Sequence, residues 1–196
     1  MSKNIFIWVG HPAPNSLSRG MAEAYARGAE ENGASIRWMH LNDMTFDPDL
    51  TQGYKKRKNL EPCLEEWRDN IRWANHLCWA YPQWWGGMPA KMKGVLDRAF
   101  LPGFAMEYHT DDPWWDKLLT GRSADILMTS DAPAWFDQLK YGRPAKKQVT
   151  NLVMKFSGIQ PVKTLQVGTV KGADESKIQK WLDQAYKRGV RAAKTN

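Results

Sequence analysis

The sequence predicts a doubly wound α/β fold, with a five-stranded parallel sheet covered by helices on both faces. Two observations carry this expectation. Short, nearly continuous apolar runs recur along the 196 residues, and amphipathic stretches of helical period separate them. Runs without polar alternation belong to strands buried on two faces. Parallel strands must be joined by right-handed crossovers, which lay helices over the sheet.

"NIFIWVG" (4–10) reads as the first strand. "SLSRGMAEAYARGAEENG" (16–33) spaces Leu17, Met21, Ala24, Tyr25 and Ala29 as one helical face and stops at Gly33. "SIRWMHL" (35–41) supplies the second strand. A polar loop, "DPDLTQGYKKRKN", then leads to an amphipathic helix around 61–75 carrying Leu64, Trp67 and Ile71. "HLCWAYP" (76–82) is the third strand, and Pro89 opens a helix to about Phe100, at a position where its missing N–H costs nothing. After the aromatic-rich connection "LPGFAMEYHTDDPWWDKLLTG", "SADILMTS" (123–130) is the fourth strand. A helix around 143–157, a strand "KTLQVGTV" (163–170) and a helix from about Asp174 complete one domain over 1–196, with no linker, repeat or low-complexity tract.

Composition bounds the function. The chain is 42% apolar and 25% charged, which is globular, and its eleven Trp are an excess of flat aromatic surface. The net charge of +7 lies mostly in "YKKRK" (54–58) and the C-terminal segment 151–196. Neither zinc-finger spacing nor an RNP-like motif accompanies it, so nucleic acid is not expected as a partner. Cys63 and Cys78 are the only cysteines and form no CxxC, which fits a reducing compartment. The N-terminal apolar run is too short for a signal peptide or membrane span, so the expectation is a cytoplasmic protein without membrane insertion.

For five strands alternating with helices the expected order is 2-1-3-4-5, the flavodoxin-like three-layer sandwich. Its winding reverses between strands 1 and 3, and ligands bind outside the carboxyl ends of the strands there. The loops to inspect are therefore "GHPAPNSLS" (10–18), "YPQWWGGMP" (81–89) and "TSDAPAW" (129–135). The first has neither G-x-G-x-x-G nor a P-loop. Instead His11, Asn15, Ser16 and Ser18 gather at a helix start, where free N–H groups and the macrodipole favour a phosphate. The competing reading is that Asn15 or Ser16 only caps the helix. In the second loop Gly86 and Gly87 allow close approach to a flat ligand, and Trp84 and Trp85 offer apolar walls. The competing reading packs the Trp pair on the next helix, but adjacent residues in extended chain point to opposite sides. His109, Asp111 and Asp112 are neighbours on one loop, which seldom meets coordination geometry, so no metal is expected. No G-x-S-x-G elbow is present.

The run "YPQWWGGMPAKMKGVLDRAFLPGFA", with "GHPAPNSLS", "GRSADILMTSDAP" and "FSGIQPVKTLQVGTV" in the same order, resembles the NAD(P)H:quinone oxidoreductase (DT-diaphorase-like) family of flavodoxin-like flavoproteins, as a short bacterial-type member. The resemblance covers essentially the whole chain. It implies a flavin held by His11, Asn15, Ser16, Leu17 and Ser18, by Pro82, Gln83, Trp84, Trp85, Gly86 and Gly87, and by Thr129, Ser130 and Asp131. It also implies a homodimer in which Tyr108, with Phe104 and Met106, lines a substrate pocket shared between subunits. The chain ends without the C-terminal extension of longer relatives, so FMN is expected over FAD. The activity implied is ping-pong hydride transfer from NAD(P)H through the flavin to a quinone or similar two-electron acceptor. The alternative is an ancillary subunit of a potassium-efflux system. One departure stands out: after strand 4 the family's paired glycines, Tyr and His are replaced by Thr129, Ser130, Asp131, Ala132 and Pro133. That puts a Tyr–His proton relay in doubt.

Overall fold

The computed structural model describes residues 2–56 and 58–194; Arg57, within the basic run 54–58, lies outside them. The main sheet has β1 (Asn4–Val9), β2 (Ser35–His40), β3 (His76–Pro82), β6 (Ser123–Thr129) and β7 (Val162–Val167), all parallel, in the order β2-β1-β3-β6-β7. This is the expected 2-1-3-4-5 order. The numbering skips because β4 (Met106–Tyr108) and β5 (Trp115–Lys117) form a separate antiparallel hairpin inside the long connection.

The central strands are buried along nearly their whole length, and β2, at the sheet edge, is exposed or half-buried except at Met39. Period-two alternation divides their side chains between two cores. Ile5, Ile7, Val9, Cys78, Ala80 and Leu127 meet α1 (Leu17–Glu30) and α6 (Glu175–Lys194) on one face. Phe6, Trp8, Leu77, Trp79, Tyr81 and Ile126 meet α2 (Pro62–Trp73) and α3 (Ala90–Ala99) on the other. There Trp8 packs edge-on against Trp67 and Trp79 at 5.1 and 5.0 Å between ring centroids. Part of the tryptophan excess is therefore core, and at T-shaped geometry.

Two expectations need correction. The helix expected around 143–157 is broken into a short α5 (Pro144–Lys147), a π-helical turn (Gln148–Met154) and a 3-10 turn (Lys155–Ser157). Before it lies α4 (Ala134–Tyr141), a helix not among the expected elements, which begins inside the expected loop 129–135. Its signals were present: Pro133 at the N-cap and Gly142, at φ 69°, at the C-cap.

At the end of the sheet away from the three candidate loops a buried polar cluster joins four elements. Ser123 Oγ meets His76 Nδ1 at 2.7 Å, and His76 Nε2 meets the Tyr25 hydroxyl at 2.8 Å. The Tyr25 hydroxyl donates to Asp125 at 3.1 Å, and Arg188 donates to the other Asp125 oxygen at 3.0 Å. Burial alone raises the Asp125 carboxyl, but hydrogen bonding and charge from His76, the Arg188 charge and the Tyr25 hydrogen bond outweigh it and hold the group below its usual value. α1 and α6 also touch backbone to backbone. A Cβ at Gly189 would fall inside the Tyr25 carbonyl, and one at Gly28 inside that of Tyr186.

Because the Asp125 pKa is lowered on folding, its stabilisation is present above the unfolded value near ~3.9 and is lost as pH falls through the folded value. Asp125→Asn is expected to cost about 3 kcal/mol at pH 7, with a smaller wild-type advantage at pH 2.5, read from urea unfolding at the two pH values. Gly189→Ala is expected to cost about 1–3 kcal/mol, because the atom it meets is backbone and has no rotamer to yield. Thermal melting checks it as a Tm lower by roughly 3–10 °C.

Candidate functional site

The loops after β1, β3 and β6 converge at the carboxyl edge of the sheet, and main-chain hydrogen bonds stitch them together. Gly10 N–H donates to Ala80 O at 2.8 Å, Gln83 N–H to Thr129 O at 2.7 Å, and Ser130 N–H to Val167 O at 2.9 Å. The ladder thus continues one residue past each strand.

In the first loop Ser16 is extended and caps α1: its hydroxyl accepts from Arg19 N–H at 3.2 Å. The capping reading of Ser16 therefore holds, and its side-chain oxygen is committed to the helix. The first-turn N–H groups of Leu17 and Ser18 have no carbonyl partner within the helix, and that turn carries no acidic residue. Ser18, buried, meets Thr129 hydroxyl to hydroxyl at 3.3 Å, tying α1 to the end of β6. His11 Nδ1 accepts from Ala13 N–H at 3.0 Å, which leaves the Nε2 proton of the neutral ring as a donor. The His11 ring stands edge-on to Trp84 at 5.6 Å.

The second loop is a tight turn. Trp84 N–H donates to Gly87 O at 3.0 Å, and Gly87 N–H to Trp84 O at 2.9 Å. Trp85 and Gly86 between them have φ 51° and 74°, as a type I′ turn requires. Trp84 is 44% exposed and lies against His11, whereas Trp85 is fully exposed at the tip. The chain here is not extended, so the left-handed turn rather than strand alternation separates the two rings. The need for glycine falls on Gly86. Gly87 has ordinary backbone, and a Cβ there would meet only Gln148 Oε1 at 3.6 Å and Trp84 O at 3.9 Å.

In the third loop Ser130 Oγ donates to Ala132 O at 2.8 Å, and Asp131 accepts from Lys171 N–H at 3.0 Å. The first bond closes the loop on itself, and the second pins it to the segment after β7. The sequence reading missed a part-buried triangle behind the site, centred on the buried Asp137. Gln83 Nε2 and Gln166 Nε2 donate to the two oxygens of Asp137 at 3.2 and 2.9 Å, and Gln166 Nε2 also lies 3.1 Å from Gln83 Oε1. Asp137 sits on α4, so Pro133 as a start signal and Gly142 as a stop signal were the route to it.

Two cavities that share Gln83, Trp84, Ser130 and Asp131 occupy the crevice. One of about 230 Å³ is lined by His11, residues 15–18, 82–84 and 129–131. The other, about 790 Å³, opens between Trp85, Gly86, Tyr141 and Pro144. The structure therefore brings together every flavin-loop residue that the sequence singled out except Gly87, which lines neither cavity.

The substrate-pocket candidates lie elsewhere in the chain. Met106 and Tyr108 line a cavity of about 350 Å³ with Tyr54, Lys56, Arg98 and Phe100. Phe104 does not; it is 5% exposed beneath the Arg68 and Arg72 guanidiniums. Tyr108 is 55% exposed. Beside it His109 is held by Asp112 at 2.8 Å and Asp116 at 3.3 Å, and these bonds raise its pKa.

A left-handed backbone costs a residue with a Cβ about 1–2 kcal/mol. Gly86→Ala should lower stability by about that amount, and Gly87→Ala should leave it nearly unchanged. Trp85→Gly should keep or raise stability by about 1 kcal/mol while weakening ligand binding. Denaturant midpoints for the three variants check this, and a destabilised Trp85→Gly would show that the ring supports the fold.

A protein of Penicillium crustosum named a ribosyldihydronicotinamide dehydrogenase-like protein is 25% identical over 151 residues, 64% of this chain and 56% of that one. An uncharacterised NAD(P)H oxidoreductase of Haemophilus influenzae is 32% identical over 113 residues, 56% of this chain and 55% of that one. The chain thus spans about half the length of the curated relatives it matches. The crystal structure of Smu.1420 from Streptococcus mutans superposes with a TM-score of 0.82 at 28% identity, covering 96% of this chain and 99% of that one. With a sheet of this order and a family profile that matches residues 3–188, the chain belongs to the family described as having the flavodoxin-like fold.

Proposed function

We propose that this protein is a flavin-dependent NAD(P)H oxidoreductase that passes electrons to quinones or similar two-electron acceptors. The observation that carries the reading is the crevice itself: unpaired backbone donors at a helix start at one end, and an aromatic-walled cavity at the other. The names of the similar proteins from Penicillium crustosum and Haemophilus influenzae are consistent with it. No observation favours the efflux-subunit alternative.

The residues present fit FMN. Leu17 N–H, Ser18 N–H and His11 Nε2–H are the donors for its phosphate, with Ser16 fixing the helix start. Trp84 and Trp85 flank the room for a flat ring system. A bound flavin supplies the two-electron chemistry, and the protein supplies position and electrostatics. Around the ring, the backbone donors of Gln83, Trp84, Gly87 and Ser130 are already committed. Those left to favour negative charge are the N–H groups of Trp85, Gly86, Asp131 and Ala132. Each is worth ~2.7–4 kcal/mol if it acts as preorganised donors do at other sites. The Gln83–Asp137–Gln166 triangle holds the loop that carries the first two. Ser130 and Asp131 are spent on loop structure, so this reading assigns proton delivery to solvent rather than to a Tyr–His relay. Tyr108, exposed on its hairpin, is available to reach the site of a second copy in a homodimer.

Titration with FMN is expected to quench tryptophan fluorescence at one equivalent, and anaerobic NAD(P)H should bleach the bound flavin at 450 nm or thereabouts. Protein that stays colourless after reconstitution contradicts the reading.

A further inference from the structure

Between residues 138 and 173 the chain has seven Lys or Arg and no Asp or Glu, leaving 21 of each sign in the rest. The whole net charge of +7 is thus matched by one segment, and that segment forms a rim of the larger cavity through Tyr141 and Pro144. Between those two residues the backbone is bent so that Arg143 takes φ 56° and ψ 60°, a left-handed conformation that is uncommon for a residue with a Cβ. Arg143 N–H reaches back to Asp137 O at 3.1 Å. Its side-chain Nε is buried and has no hydrogen-bond partner among the described residues. Lys147, one turn on, folds over the same bend: its ammonium lies 3.3 Å from where a Cβ on Gly142 would stand. Among the described residues neither cation is in an ion pair, and the nearby Asp137 carboxylate is engaged by the two glutamine amides.

Lys147 N–H donates to Arg143 O at 3.0 Å, so the two cations leave one turn of backbone, and a phosphate bound at that turn would supply the counter-charge with charge-assisted bonds. We infer that Arg143 and Lys147 bind a phosphate of the nicotinamide dinucleotide as its ring enters the larger cavity. The inference rests on the oxidoreductase reading. It adds that the chain takes phosphate-bearing dinucleotides in preference to phosphate-free dihydronicotinamides such as the riboside. The 2′-phosphate and the pyrophosphate offer the same chemistry, and comparing NADP+ with NAD+ separates them.

The test is calorimetric titration of the FMN-loaded protein with NADP+, NAD+ and nicotinamide riboside, in wild type, Arg143→Gln, Lys147→Gln and the double variant. Each substitution is expected to raise the Kd for NADP+ about tenfold and to leave riboside binding unchanged. A matching loss for NAD+ assigns the pyrophosphate, and no loss for NAD+ assigns the 2′-phosphate; either supports the inference. Wild-type protein that does not bind NADP+, variants that bind it as well as wild type does, or an equal loss for the riboside would overturn it. Lys147→Gln lies on a surface turn and keeps the test available if Arg143→Gln melts early. NADP+ binding that responds to the variants while NADPH fails to bleach the flavin would retain this site and reject the oxidoreductase reading.

Discussion

The crevice exists because the parallel ladder runs one residue beyond each of three strands. The bonds from Gly10 to Ala80, Gln83 to Thr129 and Ser130 to Val167 fix where the chain leaves the sheet. The segments after that point line the crevice. The reversal of winding between β1 and β3 opens the space, and the extended ladder keeps its three walls in register. Buried backbone groups must find partners, so the donors still unpaired beyond the ladder, at Leu17 and Ser18 and in the turn after Gln83, become the ones with work left to do.

Stability and site-building are divided between groups of residues that look alike in sequence. Trp8, Trp67 and Trp79 fill one core, Trp8 edge-on to both others and those two tilted against each other, although their indole N–H groups are buried without partners among the described residues. Large apolar area compensates for those missing bonds, each of which costs about 1–3 kcal/mol. Trp84 and Trp85 do the opposite: they remain at the surface, and Trp85 does so in a backbone conformation that opposes folding. Strain of this kind collects at binding sites, where surrounding structure over-determines it. Here the surroundings are the closed hydrogen-bonded turn and the Asp137 triangle behind Gln83.

Much of this was legible in the sequence, for a definable reason. Buried parallel strands such as 76–82 announce themselves as unbroken apolar runs, and strand order followed from the alternation of elements. The loops then followed from strand order. What stayed hidden depended on contacts distant in sequence or on irregular backbone. The Gln83–Asp137–Gln166 triangle joins residues 54, 29 and 83 positions apart. The left-handed Trp85 could not be seen beside two glycines that would each accept that conformation. The helix α4 was overlooked because its apolar residues, Trp135, Phe136 and Leu139, largely face outward and give no buried stripe, and the helix after it is interrupted by a π-helical turn that periodicity does not reveal.

The central claim is that one ligand spans from the start of α1 to the turn at Trp85. Backbone amide mapping by NMR during an FMN titration tests it most directly. The account predicts that the largest shifts fall together on Leu17, Ser18, Trp85, Gly86 and Asp131. Shifts concentrated instead on Tyr54, Lys56 and Tyr108, around the separate cavity, would contradict it.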